Sequence, residues 1–272
     1  MARGDTQVTE PLPGGFVPAE PERSRRVWPW IVAFAIVAAL AVAAWFAAEA
    51  IARQIVTGVV REQVRTQLSL PADQPIDVEI PGAVIPQLIS GTLDELTIAS
   101  DDVTFEGVTG DVTVTAHDVA VRGTGEMSGA TATVSLDEAQ LRTLLSTVDG
   151  FPADTVGLAA PNVTMSLDLQ LFGVAVPVGV ALAPSAADGS IVLTPAALRL
   201  GESEVTADAL RSQFGGVADV VLRDWDVCIA QYLPSGVTLT SVDVTGDLLV
   251  AGFDVAGAIA TDPALQQNGT CV

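Results

Sequence analysis

Hydrophobic and polar positions divide the chain into three regimes. Val27–Ala48 is an apolar run of 22 residues without a charged side chain. As an α-helix it is about 33 Å long, enough to cross a hydrocarbon core of about 30 Å. Trp28 and Trp30 at its start, and Trp45 and Phe46 near its end, occupy the positions of interfacial aromatic belts. Pro29 falls in the first turn, where its missing N–H costs little. From residue 50 to 69 the apolar positions keep a helical spacing. Ile51, Ile55 and Val59 form one ladder, and Val60, Val64 and Leu68 form a second, one step round the helix. Such a winding stripe predicts a helix held by a curved surface. Pro71 and Pro75 end it.

From Ile76 onward the period becomes two. Val112, Val114 and Ala116 alternate with Thr113, Thr115 and His117. Met165, Leu167, Leu169 and Leu171 alternate with Ser166, Asp168, Gln170 and Phe172. Val237 and Leu239 alternate with Thr238 and Thr240. This is the pattern of strands with one buried face. Turns are expected at Gly107, Gly110-Asp111, Phe172-Gly173, Asp188-Gly189 and Gly246-Asp247. The gaps are too short for crossovers, so the strands are antiparallel. Two short helices interrupt them. One follows a capping box at Ser135-Leu136-Asp137-Glu138 and carries Leu141 and Leu145; the other runs from Asp208 to Phe214, ended by Gly215-Gly216. Val174–Leu182 is apolar or small on both faces, and such a strand is either sandwiched or lines a cavity.

Composition narrows the class. Hydrophobic residues make up 49 % of the chain against 17 % charged, which excludes a disordered protein. Aromatics are only 5 %, so the core is aliphatic. The net charge of −21 excludes binding to nucleic-acid phosphates. All 12 basic residues are Arg. Arg23, Arg25 and Arg26 immediately precede the apolar run, which orients the N-terminus to the cytoplasm and the remainder outside. The expected organisation is a disordered cytoplasmic tail at 1–26, a transmembrane helix at 27–48 and an extracytoplasmic domain at 49–272. A cleaved signal peptide with a site at Ala48-Glu49-Ala50 is the rival, and the length of the run favours a retained anchor. In that compartment Cys228 and Cys271 are most simply one disulfide.

Catalytic chemistry is hard to assemble from this inventory. His117 is the single imidazole and sits among threonines on a strand. One His and two distant Cys do not make a zinc site. Asp94-Glu95, Asp101-Asp102, Asp137-Glu138 and the pair Asp224 and Asp226 read as a charged rim without EF-hand spacing. The expectation is therefore a non-enzyme with no catalytic residue, no metal and no cofactor. What the sequence has in excess is aliphatic surface. The candidate groove for an acyl chain comprises Ile51, Ile55 and Val59 of the helix, Met165, Leu167, Leu169 and Leu171, and Val176, Val178 and Val180. The alternative from another class is a scaffolding domain in which the same side chains are packed core.

Three segments carry a resemblance. Pro86-Gln-Leu-Ile-Ser-Gly91-Thr-Leu-Asp94-Glu-Leu-Thr-Ile98, followed by Asp102-Val103, is similar to the P-x-L-x-x-G-x-x-D-x-x-x-I stretch of the LmeA-like phospholipid-binding proteins of actinobacteria. Ser135–Leu141 resembles that family's short middle helix. Leu233–Val242, leading to Gly246–Val250, resembles its C-terminal hairpin. The similarity covers residues 45–255 in order. It implies an α+β fold, an elongated curved antiparallel β-sheet wrapped around a long helix, as in tubular lipid-binding domains. It also implies a cell-envelope protein that binds phospholipids, phosphoinositides among them, and helps maintain the envelope; the function expected of this chain is a membrane-tethered module that binds lipid or shuttles it. No catalytic residues come with it. This chain departs from the pattern in its acidity: only Arg53, Arg61 and Arg65 form a close basic group for an anionic headgroup.

Overall fold

The computed structural model describes residues 27–68, 70–105, 108–122, 127–146, 151–171, 174–200, 203–214, 222 and 224–270. The chain divides into two compact units, residues 1–47 and 48–272. In the first, the described residues are helical and every side chain from Val27 to Ala47 is exposed. They belong to α1 (Trp28–Leu68), a single helix long and apolar enough to cross a membrane. The tail at 1–26 lies outside the described residues.

The second unit is α+β. It holds the end of α1, then β1 (Asp77–Glu79), α2 (Val84–Ser90), β2 (Thr92–Phe105), β3 (Val108–Ala120), β4 (Gly129–Leu136) and α3 (Glu138–Leu145). There follow β5 (Gly157–Ala159), β6 (Asn162–Leu171), β7 (Val174–Ala187), β8 (Ser190–Leu200), β9 (Ser203–Thr206) and α4 (Ala207–Phe214). The chain finishes with β10 (Trp225–Cys228), β11 (Val237–Thr245) and β12 (Leu248–Ala256). Where a single curved sheet was expected there are two open antiparallel sheets. One has the order β1-β2-β3-β4-β12-β11; the other has the order β10-β8-β7-β6-β5, with β9 paired to β8.

Local chemistry explains the hairpins. Asp188 and Gly189 both take positive φ, 49° and 78°, the twist a two-residue turn needs between β7 and β8. Gly246 does the same at the β11–β12 turn, with φ 61°. The turn expected at Gly110-Asp111 does not exist: both residues lie inside β3, paired to Val103 and Ser135. Gly110 is there for contact. A Cβ on it would stand 2.6 Å from Leu136 Cδ2 and 3.1 Å from the Ser135 carbonyl oxygen. Gly110→Ala should therefore lower stability by about 1–3 kcal/mol, read as a fall in Tm.

The helix caps also differ from expectation. Ser135 and Leu136 remain in β4, and the N-cap of α3 is Asp137. Its carboxylate accepts from Gln140 N at 2.8 Å while Gln140 Oε1 accepts from Asp137 N at 2.8 Å. The capping box is real but starts two residues later. For α4, Thr206 Oγ1 accepts from Ala209 N at 3.3 Å; Gly215-Gly216, expected to end it, lies outside the described residues. Helix α2 was not anticipated. It ends on Gly91, whose φ of 92° is the left-handed C-cap conformation.

Buried side chains form two clusters. The larger joins the sheets: Val163, Val178 and Leu182 of one meet Val242, Leu249 and Phe253 of the other, with Leu141 and Leu145 of α3. The smaller comprises Ile80, Val84, Leu93 and Leu96, closed by Ala52, Val56 and Val60 of α1.

Candidate functional site

The site is built on how α1 meets the first sheet. Ala52, Val56 and Val60 are the stripe that packs; Val60 opens the second predicted ladder, and Ala52 and Val56 each lie one residue beyond a member of the first. One residue later, and so about 100° further round the helix, Arg53 and Arg61 reach the segment before and after β1. Arg53 donates to the carbonyl oxygens of Ile80 and Gly82, Arg61 to that of Ile76 at 2.8 Å, and Arg65 to that of Gln74 at 2.9 Å. The close basic group that follows the apolar run thus clasps main-chain carbonyls. Glu49 completes the clasp. Its carboxylate accepts from the amides of Val84 and Ile85, the first turn of α2. Those two bonds, with the Arg53 guanidinium beside it, hold the Glu49 carboxyl below its ordinary pKa. The stabilisation is therefore complete above the ordinary carboxylate range and is lost as pH falls through the lowered value. Glu49→Gln should speed amide exchange at Val84 and Ile85 at neutral pH, and exchange in the wild type should rise toward the variant's rate only in acid.

The opposite flank of this stripe is apolar and open. Ile51, Ile55 and Val59 precede Ala52, Val56 and Val60 by one residue each, so they lie about 100° to the other side. Their exposures are 59, 60 and 64 %.

On the first sheet two aliphatic side chains of β3 belong to neither cluster. One cross-strand row runs Ile98, Val114, Ala132, Phe253. Ile98 packs in the helix cluster, Ala132 and Phe253 in the inter-sheet core, and half-buried Val114 in neither. The next row runs Ser100, Val112, Val134, Ala251, and Val112 again belongs to neither. In the row on the other side, Ala116 and Ala130 pair and are buried. From β2 to β4 is two strand spacings, about 10 Å. Exposed Ile51, Ile55 and Val59 of α1 and half-buried Val112 and Val114 of β3 are thus the aliphatic side chains of this part of the fold that lie outside both clusters. No charged side chain stands at these inner-face positions.

The remaining candidate residues lie elsewhere. Met165, Val178 and Val180 are 3, 1 and 5 % exposed and belong to the inter-sheet core. In β7, Pro177 is exposed and Gly179 and Ala181 half-buried, so the described part of that strand has one buried face. Leu167, Leu169, Leu171 and Val176 hold positions on the β6–β7 ladder, with Leu169 opposite Val176; their side chains lie outside the described residues. The sequence reading joined helix and hairpin in one groove, and the described members fall in two places. It missed Val112 and Val114, whose alternation marked a buried face but not an uncovered one. A separate cavity of about 370 Å³ lies against β6, β7 and β8, lined by Thr155, Thr164, Ser166, Gly179, Ala181 and Arg199 among others. It has no carboxylate, imidazole or thiol in its lining.

The acidic pairs serve local structure. Asp111 accepts from Asp102 N at 2.9 Å across the β2–β3 bulge, and Glu138 pairs with Arg142 at 2.6 Å. His117 Nδ1 is 4.0 Å from half-buried Glu95. Among the described residues no group of His, Cys, Asp and Glu is arranged to hold a metal. Cys228 ends β10 and is not a free thiol; Cys271 lies outside the described residues.

Residues 47–253 match the family model described as LmeA-like phospholipid-binding. No curated protein matches the chain, and no solved structure does.

Proposed function

The chain belongs to the LmeA-like phospholipid-binding family, and from that footing we propose that it is a membrane-anchored lipid-binding protein holding a phospholipid acyl chain in a trough over β3. The observation that carries this reading is aliphatic surface outside both core clusters, the exposed flank Ile51, Ile55 and Val59 of α1 and half-buried Val112 and Val114 of β3. Burying an acyl chain yields about 0.8 kcal/mol per methylene, so one chain suffices for binding without strong headgroup contacts. Arg53, Arg61 and Arg65 already donate to carbonyls, which fits binding by the tail with little headgroup discrimination. An open trough lets a chain leave as readily as enter, and this suits shuttling. On this reading residues 27–48 are the anchor, with the N-terminus cytoplasmic and residues 49–272 outside. The protein acts without catalysis or cofactor.

The direct test is organic extraction of the purified full chain after exhaustive detergent exchange. Mass spectrometry should return phospholipid at about one per chain. Extracts free of phospholipid would overturn the reading and favour the alternative, a scaffolding domain, for which the single buried face of β7 speaks. The extracytoplasmic placement also carries the pairing of Cys228 with Cys271. Thiol labelling of the unfolded, unreduced chain should give no signal, and two labelled thiols would refute the bridge. Its loss through Cys271→Ser should cost at most about 4 kcal/mol.

A further inference from the structure

The clasp at Glu49 ties α2 to the residue that follows Ala48, the last of the proposed anchor. From this we propose that α2 and the two residues after β3 form a second membrane contact, in which Ile89 and Val121 enter the headgroup layer of the same bilayer and Arg122 meets lipid phosphates. The inference rests on the anchor reading above and adds a surface to it.

Four observations converge. First, Glu49 accepts from the amides of Val84 and Ile85, so the first turn of α2 is held within hydrogen-bond reach of the residue next to the span. At about 1.5 Å per residue, Ile89 is about 6 Å along the axis from Ile85, comparable to the depth of one headgroup layer. Second, Ile89 is 71 % exposed and Val121 38 %, large apolar side chains left in water by the fold. Third, they are brought together: Val121 N donates to the Gly91 carbonyl at 3.0 Å, and Arg122 donates to the Leu88 carbonyl at 2.9 Å, at the end of the same short helix. Fourth, the charge fits. Residues 81–91 carry no charged side chain in a chain with 33 acidic residues, and exposed Arg122 stands beside them. An anionic lipid surface repels most of this protein but not this patch. A few apolar side chains with a long cationic one beside them are the composition of an interfacial contact.

The experiment is depth measurement by spin label on the full chain in liposomes of phosphatidylcholine and phosphatidylglycerol. Ile89→Cys and Val121→Cys carry the nitroxide, with wild type treated identically as background. Power saturation with oxygen and a water-soluble nickel chelate, present on both sides of the bilayer, gives the depth. Thr113→Cys is the control; it is exposed and about 26 Å along β3 from Val121. At 89 and 121 oxygen should relax the label more strongly than the nickel chelate does, and the order should reverse at 113. If the chain floats with liposomes but 89 and 121 are as open to nickel as 113, the membrane contact is refuted and the anchor stands. If the chain does not float, the anchor reading fails and this proposal with it.

Discussion

Val178→Asp is expected to abolish folding of residues 48–272. Val178 is 1 % exposed and sits between the sheets, in the cluster that includes Val163, Leu182 and Leu193. Its cross-strand neighbours are Leu167 on β6 and, through the alternation of β7, buried Val180 two residues on. The members of that cluster are apolar and cannot pair with a carboxylate. Burying one unpaired costs several kcal/mol even when it protonates. A domain of this size has a net stability of about 5–15 kcal/mol, so the loss takes most of it. Circular dichroism of the full chain should show the β signal gone or its transition lowered by tens of degrees, while the helical signal of α1 persists. Val178→Ala, which removes only two methyl groups, should cost no more than about 1–3 kcal/mol.

Val114→Asp makes the opposite prediction, although Val114 lies on the same kind of strand with the same alternation. It is half-buried and packs in neither cluster, so its carboxylate can stay hydrated at the open trough. The domain should remain folded, with Tm within a few degrees of wild type. Binding should suffer instead. An acyl chain laid over β3 would strip water from that carboxylate at a cost of several kcal/mol, and at about 1.4 kcal/mol per tenfold the affinity for phospholipid should fall by at least 100-fold. Ile55→Asp, on the flank of α1 and 60 % exposed, should behave alike. The pair of outcomes separates core from trough. If Val114→Asp unfolds the domain, β3 is packed as tightly as β7 and the trough is absent. If it folds and keeps its phospholipid, the chain lies elsewhere.

Strand positions and hairpins were legible because alternation reports directly which residues share a buried face. Alternation does not report what covers that face. Val112, Val114 and Val178 look alike in sequence, yet Val178 is fully buried between the sheets and the other two are half-buried. The same limit explains two sheets where one was expected. The stripe of α1 was legible only in part: Val60 opens a predicted ladder, but Ile51 and Ile55 outweigh Ala52 in any hydrophobic pattern, and it is Ala52 and Val56 that pack against the smaller cluster. Gly110 read as a turn because glycine punctuates turns more often than it relieves a contact. Helix α2 was hidden by its brevity and by the source of its cap, a glutamate 35 residues upstream.

The most direct test of the account uses a phospholipid with a photoreactive diazirine near the end of one acyl chain. The full chain is reconstituted with it in liposomes, irradiated, digested and mapped by mass spectrometry. Labelling within residues 27–48 is expected of any anchored helix. The trough predicts, in addition, labelled peptides from β3 that contain Val112 or Val114, and their loss in Val114→Asp with the anchor labelling unchanged. Label confined to residues 27–48, with none on β3 or on the Ile51–Val59 flank, would contradict the acyl-binding trough.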